Sequence, residues 1–161
     1  MFVKRIVVPI DFSPDSLNAL AYARDVAARF RAELLILHVV DQTYLASTPE
    51  LSLANPAFGK LLEEQWRIAN TQTERLGADL KKQGQRVRTV VKRGTPAHVI
   101  IDTAKRSAAD LIVMATHGRT GLAHMLIGSV AERVVRGAHC AVLTVRRAAT
   151  RRRRSSKARS R

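Results

Sequence analysis

Short apolar runs alternate along the chain with longer amphipathic segments, and this alternation predicts strands and helices in turn. The apolar runs are rich in Val, Ile and Leu, and they predict strands at residues 5–9, 34–40, 86–92, 110–115 and 141–145. The third run alternates, with Val87, Thr89 and Val91 on one side. Such alternation is typical of a strand nearer the edge of a sheet.

Helical spacing of apolar positions predicts four helices between these strands. Ser13 is a favoured capping residue and Pro14 follows it, so the first helix begins here, and Thr95 and Pro96 begin the third. The other two helices are expected at residues 60–84 and 129–136, and a loop at residues 49–56. The side chains expected to face the core are Leu17, Leu20, Ala23, Ala27, Phe30, Leu61, Trp66, Ile68, Leu76, Leu80, Val99, Ile100 and Ala104.

Strands separated by helices predict parallel strands joined by right-handed crossovers. Because the apolar runs are nearly continuous, both faces of the sheet are expected to be covered. The fold class is therefore α/β, a doubly wound five-stranded parallel sheet with helices on both faces. In such folds ligands bind beyond the carboxyl ends of the strands, where the strand order reverses. Residues 9–13 and the loop after the fourth strand compete for that position, and they line one crevice if their strands are neighbours.

Composition places the chain among ordinary globular proteins. At 161 residues, with 46% apolar and only 4% aromatic residues, it predicts one domain with an aliphatic core. One cysteine excludes an intramolecular disulfide framework and a cysteine-based zinc site. No signal peptide is visible, and no apolar run approaches the roughly 20 residues of a membrane span. We expect a soluble, cytoplasmic protein.

The net charge of +15 is concentrated at one end. Residues 146–161 contain nine Arg or Lys and no acidic residue, which leaves +6 for residues 1–145. We therefore expect a domain over residues 1–146 and a basic, disordered tail over residues 147–161. The tail is either an arm that binds nucleic acid or an anionic membrane surface, or it is a solvated appendage. The second interpretation is favoured because no aromatic residue lies among the basic ones to stack on bases.

A long glycine-containing loop follows the fourth apolar run and precedes the last helix. It spans residues 116–128 and holds three of the eight glycines, whereas ordinary connections between strand and helix have about 2 to 6 residues. Glycine allows backbone N–H groups to approach a phosphate closely. The first turn of the following helix adds unpaired N–H groups and the positive end of the helix dipole. The sequence therefore predicts a phosphate-binding loop.

Other chemical motifs are weak or missing. The chain has no G-x-x-x-x-G-K-[ST] motif, no G-x-G-x-x-G after the first strand, no nucleophile elbow and no evident carboxylate pair. His117 and His124 share the loop but lack the partners of a metal site. His38 and His139 are interpreted as structural residues at strand ends, and Cys140 as a small buried hydrophobic residue.

Four separated motifs, in order, resemble the universal stress protein family over about residues 3–146. They are Val8-Pro9-Ile10-Asp11-Phe12-Ser13, His38-Val39, Gly94-Thr95-Pro96 and residues 114–130, and Cys140-Ala141-Val142-Leu143-Thr144-Val145 is similar to that family's last strand. The nucleotide-binding branch has the signature Gly, two residues, Gly, nine residues, Gly and Ser or Thr. Gly118, Gly128 and Ser129 match it. The first position falls on Ala115, where a methyl group can crowd the ribose or a phosphate.

The resemblance implies the strand order 3-2-1-4-5, a homodimer through strand five, and ATP with Mg²⁺ in the crevice. The implied contacts are Pro9, Asp11 and Val39 on the adenine side, Met114 and Ala115 near the ribose, and Gly118, Arg119, Gly128, Ser129 and Val130 at the phosphates. The Ser129 hydroxyl can reach a phosphate or its metal, and Arg119 can make charge-assisted contacts.

Each of these residues also has an ordinary structural interpretation. Asp11 is a favoured turn or cap residue, Arg119 a solvated loop cation, and Pro9 and Val39 packing at strand ends.

Three hypotheses for function remain at this point. The leading one is an ATP-binding stress-response protein, a signalling or protective module with slow or no hydrolysis. The second is a true ATPase or phosphotransferase that uses Asp11 or His117. The third is a nucleic-acid or other polyanion-binding protein that acts through its basic tail.

Overall fold

The computed structural model describes residues 2–41, 56–118 and 127–146. Within these ranges strands and helices alternate as the apolar pattern predicted. The strands are β1 (Arg5–Ile10), β2 (Glu33–Val40), β3 (Val87–Arg93), β4 (Leu111–Ala115) and β5 (Ala141–Val145), and the helices are α1 (Pro14–Phe30), α2 (Pro56–Lys82), α3 (Pro96–Arg106) and α4 (Ser129–Gly137). The loop expected over residues 49–56 lies outside the described residues except for Pro56, which begins α2. None of the described helices is long and apolar enough to cross a membrane.

The five strands form one parallel sheet in the order β3-β2-β1-β4-β5. This confirms the fold class and the strand order that the resemblance implied, with β3 at an edge. In the central strand, Ile6 pairs with Leu34 of β2 on one side and with Leu111 of β4 on the other. The order therefore reverses between β1 and β4, and the chain segments that follow these two strands begin side by side.

Two apolar layers cover the sheet, one on each face. On the face covered by α1 and α2, the fully buried strand residues include Ile6, Val8, Leu34 and Ile36. On the face covered by α3 and α4 they include Val7, Leu37 and Ile112. Burial of each such side chain contributes about 1.5–3 kcal/mol, so the aliphatic strands supply the core that the few aromatic residues cannot.

Four of the expected core residues are exposed, and that part of the prediction was wrong. Leu17 and Phe30 of α1 are 41% and 50% exposed, and Leu61 and Ile68 of α2 are 42% and 43% exposed. Most of the buried positions of these helices hold small residues, which are Ser16, Ala19, Ala23 and Ala27 in α1 and Ala69, Thr73 and Gly77 in α2, beside the expected Leu20 and Leu80.

A close approach between α2 and β3 explains this preference. A Cβ atom placed on Gly77 would lie 2.4 Å from Cγ2 of Thr89. Helices that pack this near a sheet must turn small residues toward it, because a larger side chain would overlap the strand. The large apolar side chains are consequently displaced to the helix flanks.

Candidate functional site

The turn after β1 is built around Asp11. Its Oδ1 atom accepts hydrogen bonds from the backbone N–H of Ser13 at 3.0 Å and from the Ser13 hydroxyl at 2.6 Å. The Ser13 Oγ atom in turn accepts from the N–H of Ser16 at 3.2 Å, which caps α1 as the sequence predicted. Phe12, between them, has a left-handed φ of 62°. Asp11 therefore holds the turn that leads into α1, as its structural interpretation required.

The same carboxylate also faces the segment that follows β4. A Cβ atom placed on Gly118 would lie only 2.5 Å from Oδ2 of Asp11. A side chain here would displace the carboxylate, so glycine is the residue that fits without a shift of Asp11. Residues 11 and 118, which are more than one hundred positions apart in the chain, thus lie in contact at the carboxyl edge of the sheet. The two segments that competed for the switch point therefore lie side by side, and the region beyond them is called the crevice.

The backbone at the end of β4 brings α4 back to this crevice. The N–H of Gly128 donates to the carbonyl oxygen of Thr116 at 2.8 Å, while the N–H of Thr116 donates to the carbonyl oxygen of Val145 at 3.1 Å. A Cβ atom on Gly128 would lie 2.9 Å from that Thr116 oxygen. Because the obstacle is backbone rather than a flexible side chain, this position demands glycine even more strictly than residue 118.

Helix α4 begins at the crevice without a side-chain cap. Its N-cap residue is Gly128, and the Glu132 N–H to Gly128 carbonyl bond at 3.0 Å is the first hydrogen bond of the helix. The amides of Ser129, Val130 and Ala131 precede that bond and have no carbonyl partner inside the helix. In α1, by contrast, the Ser13 hydroxyl oxygen accepts a hydrogen bond from one of the corresponding amides, the N–H of Ser16. The N-terminus of α4 therefore offers N–H donors and the positive end of a helix dipole to an anion.

The residues expected around the base and ribose lie at the ends of the central strands. Pro9 and Val39 are half-buried, whereas Met114 and Ala115 are only 5% and 8% exposed. Met114 packs in the layer with α3 and α4, and Ala115 packs in the layer with α1 and α2. The methyl group of Ala115, which departs from the family signature, is thus accommodated in the apolar core.

Sequence reasoning interpreted His38 as a structural residue at a strand end and assigned no role to Phe12. The two rings lie 5.2 Å apart at an angle of 41°, and Nδ1 of His38 is 2.9 Å from the carbonyl oxygen of Ile10. These contacts support the structural interpretation of His38 and connect β2 with the Asp11 turn. The position of Phe12 directly after Asp11 was the available signal, because both residues belong to the turn after β1.

The candidate catalytic and metal-binding residues of the loop are only partly described. Arg119 and His124 lie outside the described residues. His117 is half-buried, and its Nδ1 atom is 3.0 Å from Oγ1 of Thr116. Within residues 2–41, 56–118 and 127–146, no group of three His, Cys, Asp or Glu side chains is arranged to hold a metal ion.

Two groups with shifted pKa values, Asp110 and Cys140, lie near the amino edge of the sheet. Oδ2 of Asp110 accepts hydrogen bonds from the backbone N–H groups of Arg5 at 2.9 Å and Lys4 at 2.7 Å, and these bonds lower the pKa of the carboxyl. Burial, together with the nearby charge of Asp110, raises the pKa of the Cys140 thiol. Both lie at the opposite edge from the crevice, because parallel strands all begin there.

A doubly wound sheet with a glycine-bounded helix N-terminus at its switch point defines the class of this molecule: an α/β protein of the kind in which ligands bind beyond the carboxyl ends of the strands. The sequence model of the Universal stress protein family matches residues 3–146. The chain belongs to this family, which confirms the resemblance drawn from its motifs.

Relatives of known name cover most of the chain. It is 38% identical over 144 residues to Universal stress protein MJ0531 of Methanocaldococcus jannaschii, covering 89% of this chain and 82% of that protein. It is 34% identical over 146 residues to Universal stress protein A homolog 1 of Coxiella burnetii, covering 90% and 97%.

Solved structures with this fold also match over most of the chain. The structure of MJ0577, also from M. jannaschii, superimposes with a TM-score of 0.81 at 28% identity and covers 93% of this chain and 100% of that one. UspA from Lactobacillus plantarum superimposes with a TM-score of 0.79 at 29% identity, with 91% and 99% covered.

Proposed function

We infer that this protein binds an adenine nucleotide, ATP with Mg²⁺ in the first instance, in the crevice between the Asp11 turn and the N-terminus of α4. One observation carries the proposal. At the reversal of strand order, Gly128 lies so close to the Thr116 carbonyl oxygen that a side chain would displace backbone, and Gly118 lies against a carboxylate oxygen of Asp11. The N–H of Gly128 is itself bonded to the Thr116 carbonyl, but the start of α4 that follows directs the amides of its first turn and its dipole toward this place.

The crevice suits the parts of such a nucleotide. Amides of Ser129 and Val130 would hold phosphate oxygens, and the Ser129 hydroxyl would bind a phosphate or Mg²⁺. Gly118 and Arg119 complete the phosphate side. Residues on the base and ribose side are Pro9, Asp11, Val39, Met114 and Ala115. The bound metal would neutralise phosphate charge, while the protein supplies the directional hydrogen bonds.

Proteins of this fold accommodate adenine nucleotides. A universal stress protein has been solved in complex with cAMP, with a TM-score of 0.66 at 24% identity to this chain. The universal stress protein from Archaeoglobus fulgidus has been solved in complex with dAMP, with a TM-score of 0.59 at 19% identity. These likenesses concern the fold, and they support adenylates as the first ligands to test on this chain.

The same proposal assigns the protein slow or no ATP hydrolysis and a role as a cytoplasmic stress-response module. Oδ1 of Asp11 already accepts two hydrogen bonds from Ser13, which fix the carboxylate in its turn and engage one of the oxygens that a general base would use. Single-turnover hydrolysis with Asp11→Asn and His117→Gln separates this hypothesis from a true ATPase. A fast rate that either substitution abolishes would favour the enzyme.

The substitution Gly128→Ala tests the binding proposal. Its methyl group would meet the Thr116 carbonyl at 2.9 Å, so the start of α4 must shift, and we expect ATP affinity to fall about tenfold or more. Gly59→Ala is the matched control, because a Cβ atom there meets nothing within 4 Å. Isothermal titration calorimetry with ATP, ADP, AMP and cAMP measures both variants. Binding that is absent with every adenylate, or equal in Gly128→Ala and wild type, would contradict the proposal.

A further inference from the structure

The edge of the sheet opposite the crevice, where the parallel strands begin, brings several cations together. The carbonyl oxygen of Lys4, just before β1, accepts from the N–H of Glu33, and that of Arg86, just before β3, accepts from the N–H of Leu34, both at 2.8 Å. Nη1 of Arg86 donates to the carbonyl oxygen of Arg31 at 3.4 Å. Because adjacent strands lie about 4.8 Å apart, Lys4, Arg31 and Arg86 follow one another across the starts of β1, β2 and β3.

Helices α1 and α2 add two more cations to this row. Nη2 of Arg24 in α1 donates to Oε1 of Gln83 at 2.6 Å, in the turn that joins α2 to β3. Lys81 is exposed in the last turn of α2, directly before that turn. The five cations therefore lie on neighbouring segments of one edge. We call them the basic face, which consists of Lys4, Arg24, Arg31, Lys81 and Arg86.

Neighbouring groups do not balance the charge of the basic face. Among the residues that the structure describes, none of its five side chains forms an ion pair. Glu33 is paired with Arg5 at 2.9 Å and Asp79 lies 3.7 Å from Lys82, while Asp25 of α1 is exposed and offsets one charge. The C-termini of α1 and α2 contribute about half a negative charge each, so a surplus of roughly three positive charges remains.

Two exposed aromatic rings lie at the same edge. Phe2, two residues before Lys4, is 86% exposed, and Phe30, the last residue of α1 and the chain neighbour of Arg31, is 50% exposed. Half of the four phenylalanines in the chain are thus found here, outside the core. Cations beside exposed rings suit single-stranded nucleic acid, because phosphates contact the cations while unpaired bases stack on the rings.

We propose that the basic face binds single-stranded nucleic acid, with phosphates on its cations and bases stacked on Phe2 and Phe30. Three of the five cations are arginines, which bind phosphate oxygens in a bidentate manner. An anionic membrane is a poorer partner, because the turn among the cations is polar, Gln83-Gly84-Gln85, and has no apolar side chain to insert. The basic face lies at the opposite edge from the crevice, so this inference does not depend on the proposed nucleotide site.

The contribution of the cations is tested in the full-length chain by combining Arg31→Asn, Lys81→Gln and Arg86→Gln. Asparagine is chosen at residue 31 because it tolerates the left-handed φ of 54° found there. Fluorescence anisotropy with a labelled single strand of mixed sequence measures affinity over a range of salt concentrations. We expect affinity to fall about tenfold or more and the slope of log K against log salt to become shallower by about 2, since each phosphate contact contributes about 0.7.

A control variant removes the same charge from exposed positions elsewhere on α2 and α4, by Lys60→Gln, Arg75→Gln and Arg133→Gln. It should bind as wild type does. Residues 147–161 are the same in every protein, so their charge cancels from the comparison. Lys81→Gln alone, at an exposed helix position, is a milder variant that should reduce the slope by about 0.7.

The contribution of the rings is tested by combining Phe2→Ala with Phe30→Ala. We expect affinity for the single strand to fall about tenfold with the salt slope unchanged, because stacking involves no counterion release. Tyr22→Ala is the matched control, since Tyr22 lies on the same helix as Phe30 and is 52% exposed. Circular dichroism confirms that each variant is folded.

Three outcomes would overturn the inference. One is a salt slope and affinity that the cation variants leave as in wild type. Another is equal affinity for duplex and single strand with no loss in the phenylalanine variant, because bases then make no contact with the rings. The third is binding to vesicles that contain phosphatidylserine without binding to the single strand, which would make the basic face a membrane surface.

Discussion

At the residue scale, two glycines and one carboxylate make the crevice. Gly118 must be small because of the Asp11 side chain, whereas Gly128 must be small because of the Thr116 backbone. The obstacle at residue 118 can rotate away and the one at residue 128 cannot. Ala115 shows the converse case, since a methyl group that departs from the signature is accommodated in the core. Motif spacing therefore indicates which positions favour a small residue, and local contacts decide how strictly each position requires one.

A second carboxylate, Asp110, makes stability depend on pH. Its pKa is lowered by hydrogen bonds from the Arg5 and Lys4 N–H groups, so the folded state binds this proton less readily than the unfolded state. The stabilisation is complete above the ordinary aspartate pKa of about 3.9 and is lost as pH falls through the lower folded value. We expect Asp110→Asn to cost about 1 kcal/mol at pH 7 and to match wild type in strong acid.

Urea unfolding across pH measures this effect. Asp102→Asn is the control, because its carboxylate pairs with Arg106 at an exposed position of α3 and such surface pairs contribute little. A constant difference between wild type and Asp110→Asn down to the lowest pH would disprove the linkage.

At the element scale, the N-termini of the helices differ in how they are capped. Helix α1 is capped by the Ser13 hydroxyl, which also donates to Asp11. Thr95 begins α3 but makes no side-chain cap hydrogen bond, and Gly128 begins α4 with no side chain. The cap on α1 keeps the turn after β1 in place, while the start of α4 keeps its amides available to a ligand. One residue at the N-cap thus decides whether the first amides of a helix are capped or, as we propose for α4, available for binding.

The difference between the two hydroxyl residues is testable. We expect Ser13→Ala to lower the free energy of unfolding by about 1 kcal/mol, since an amide of α1 and the Asp11 carboxylate both lose a partner. Thr95→Ala should change it by much less, because no cap bond is removed. Chemical denaturation reports both values. Equal costs for the two substitutions would show that the Ser13 cap contributes nothing beyond helix propensity.

At the scale of the whole molecule, the sheet ends in β5. This strand pairs with β4 on one side and lies last in the sheet order, and its Leu143 side chain is 40% exposed. Apolar edge strands are normally covered, either by another element or by a second copy of the chain. The resemblance to the family favours the second copy, so the homodimer through β5 remains our proposal for assembly.

A matched pair of substitutions tests that assembly. We expect wild type to sediment as a dimer at micromolar concentration and Leu143→Lys to sediment as a monomer, because a charge would be buried in the interface. Leu61→Lys on α2 is the control, since Leu61 is 42% exposed, nearly the same as Leu143. A monomeric wild type, or a Leu143→Lys variant that stays dimeric, would contradict an interface at β5.

The amino-acid sequence by itself determined the order and type of the elements, the cap at Ser13 and the segments that flank the crevice. Apolar strands, capping residues and glycine spacing act locally, so they can be read along the chain; β5 has the predicted bounds and α4 differs by one residue. Only the tertiary structure decided that Gly77 rather than Ile68 faces the sheet, and that Asp11 meets Gly118. These outcomes depend on how closely elements far apart in sequence approach one another, a distance that no local pattern encodes.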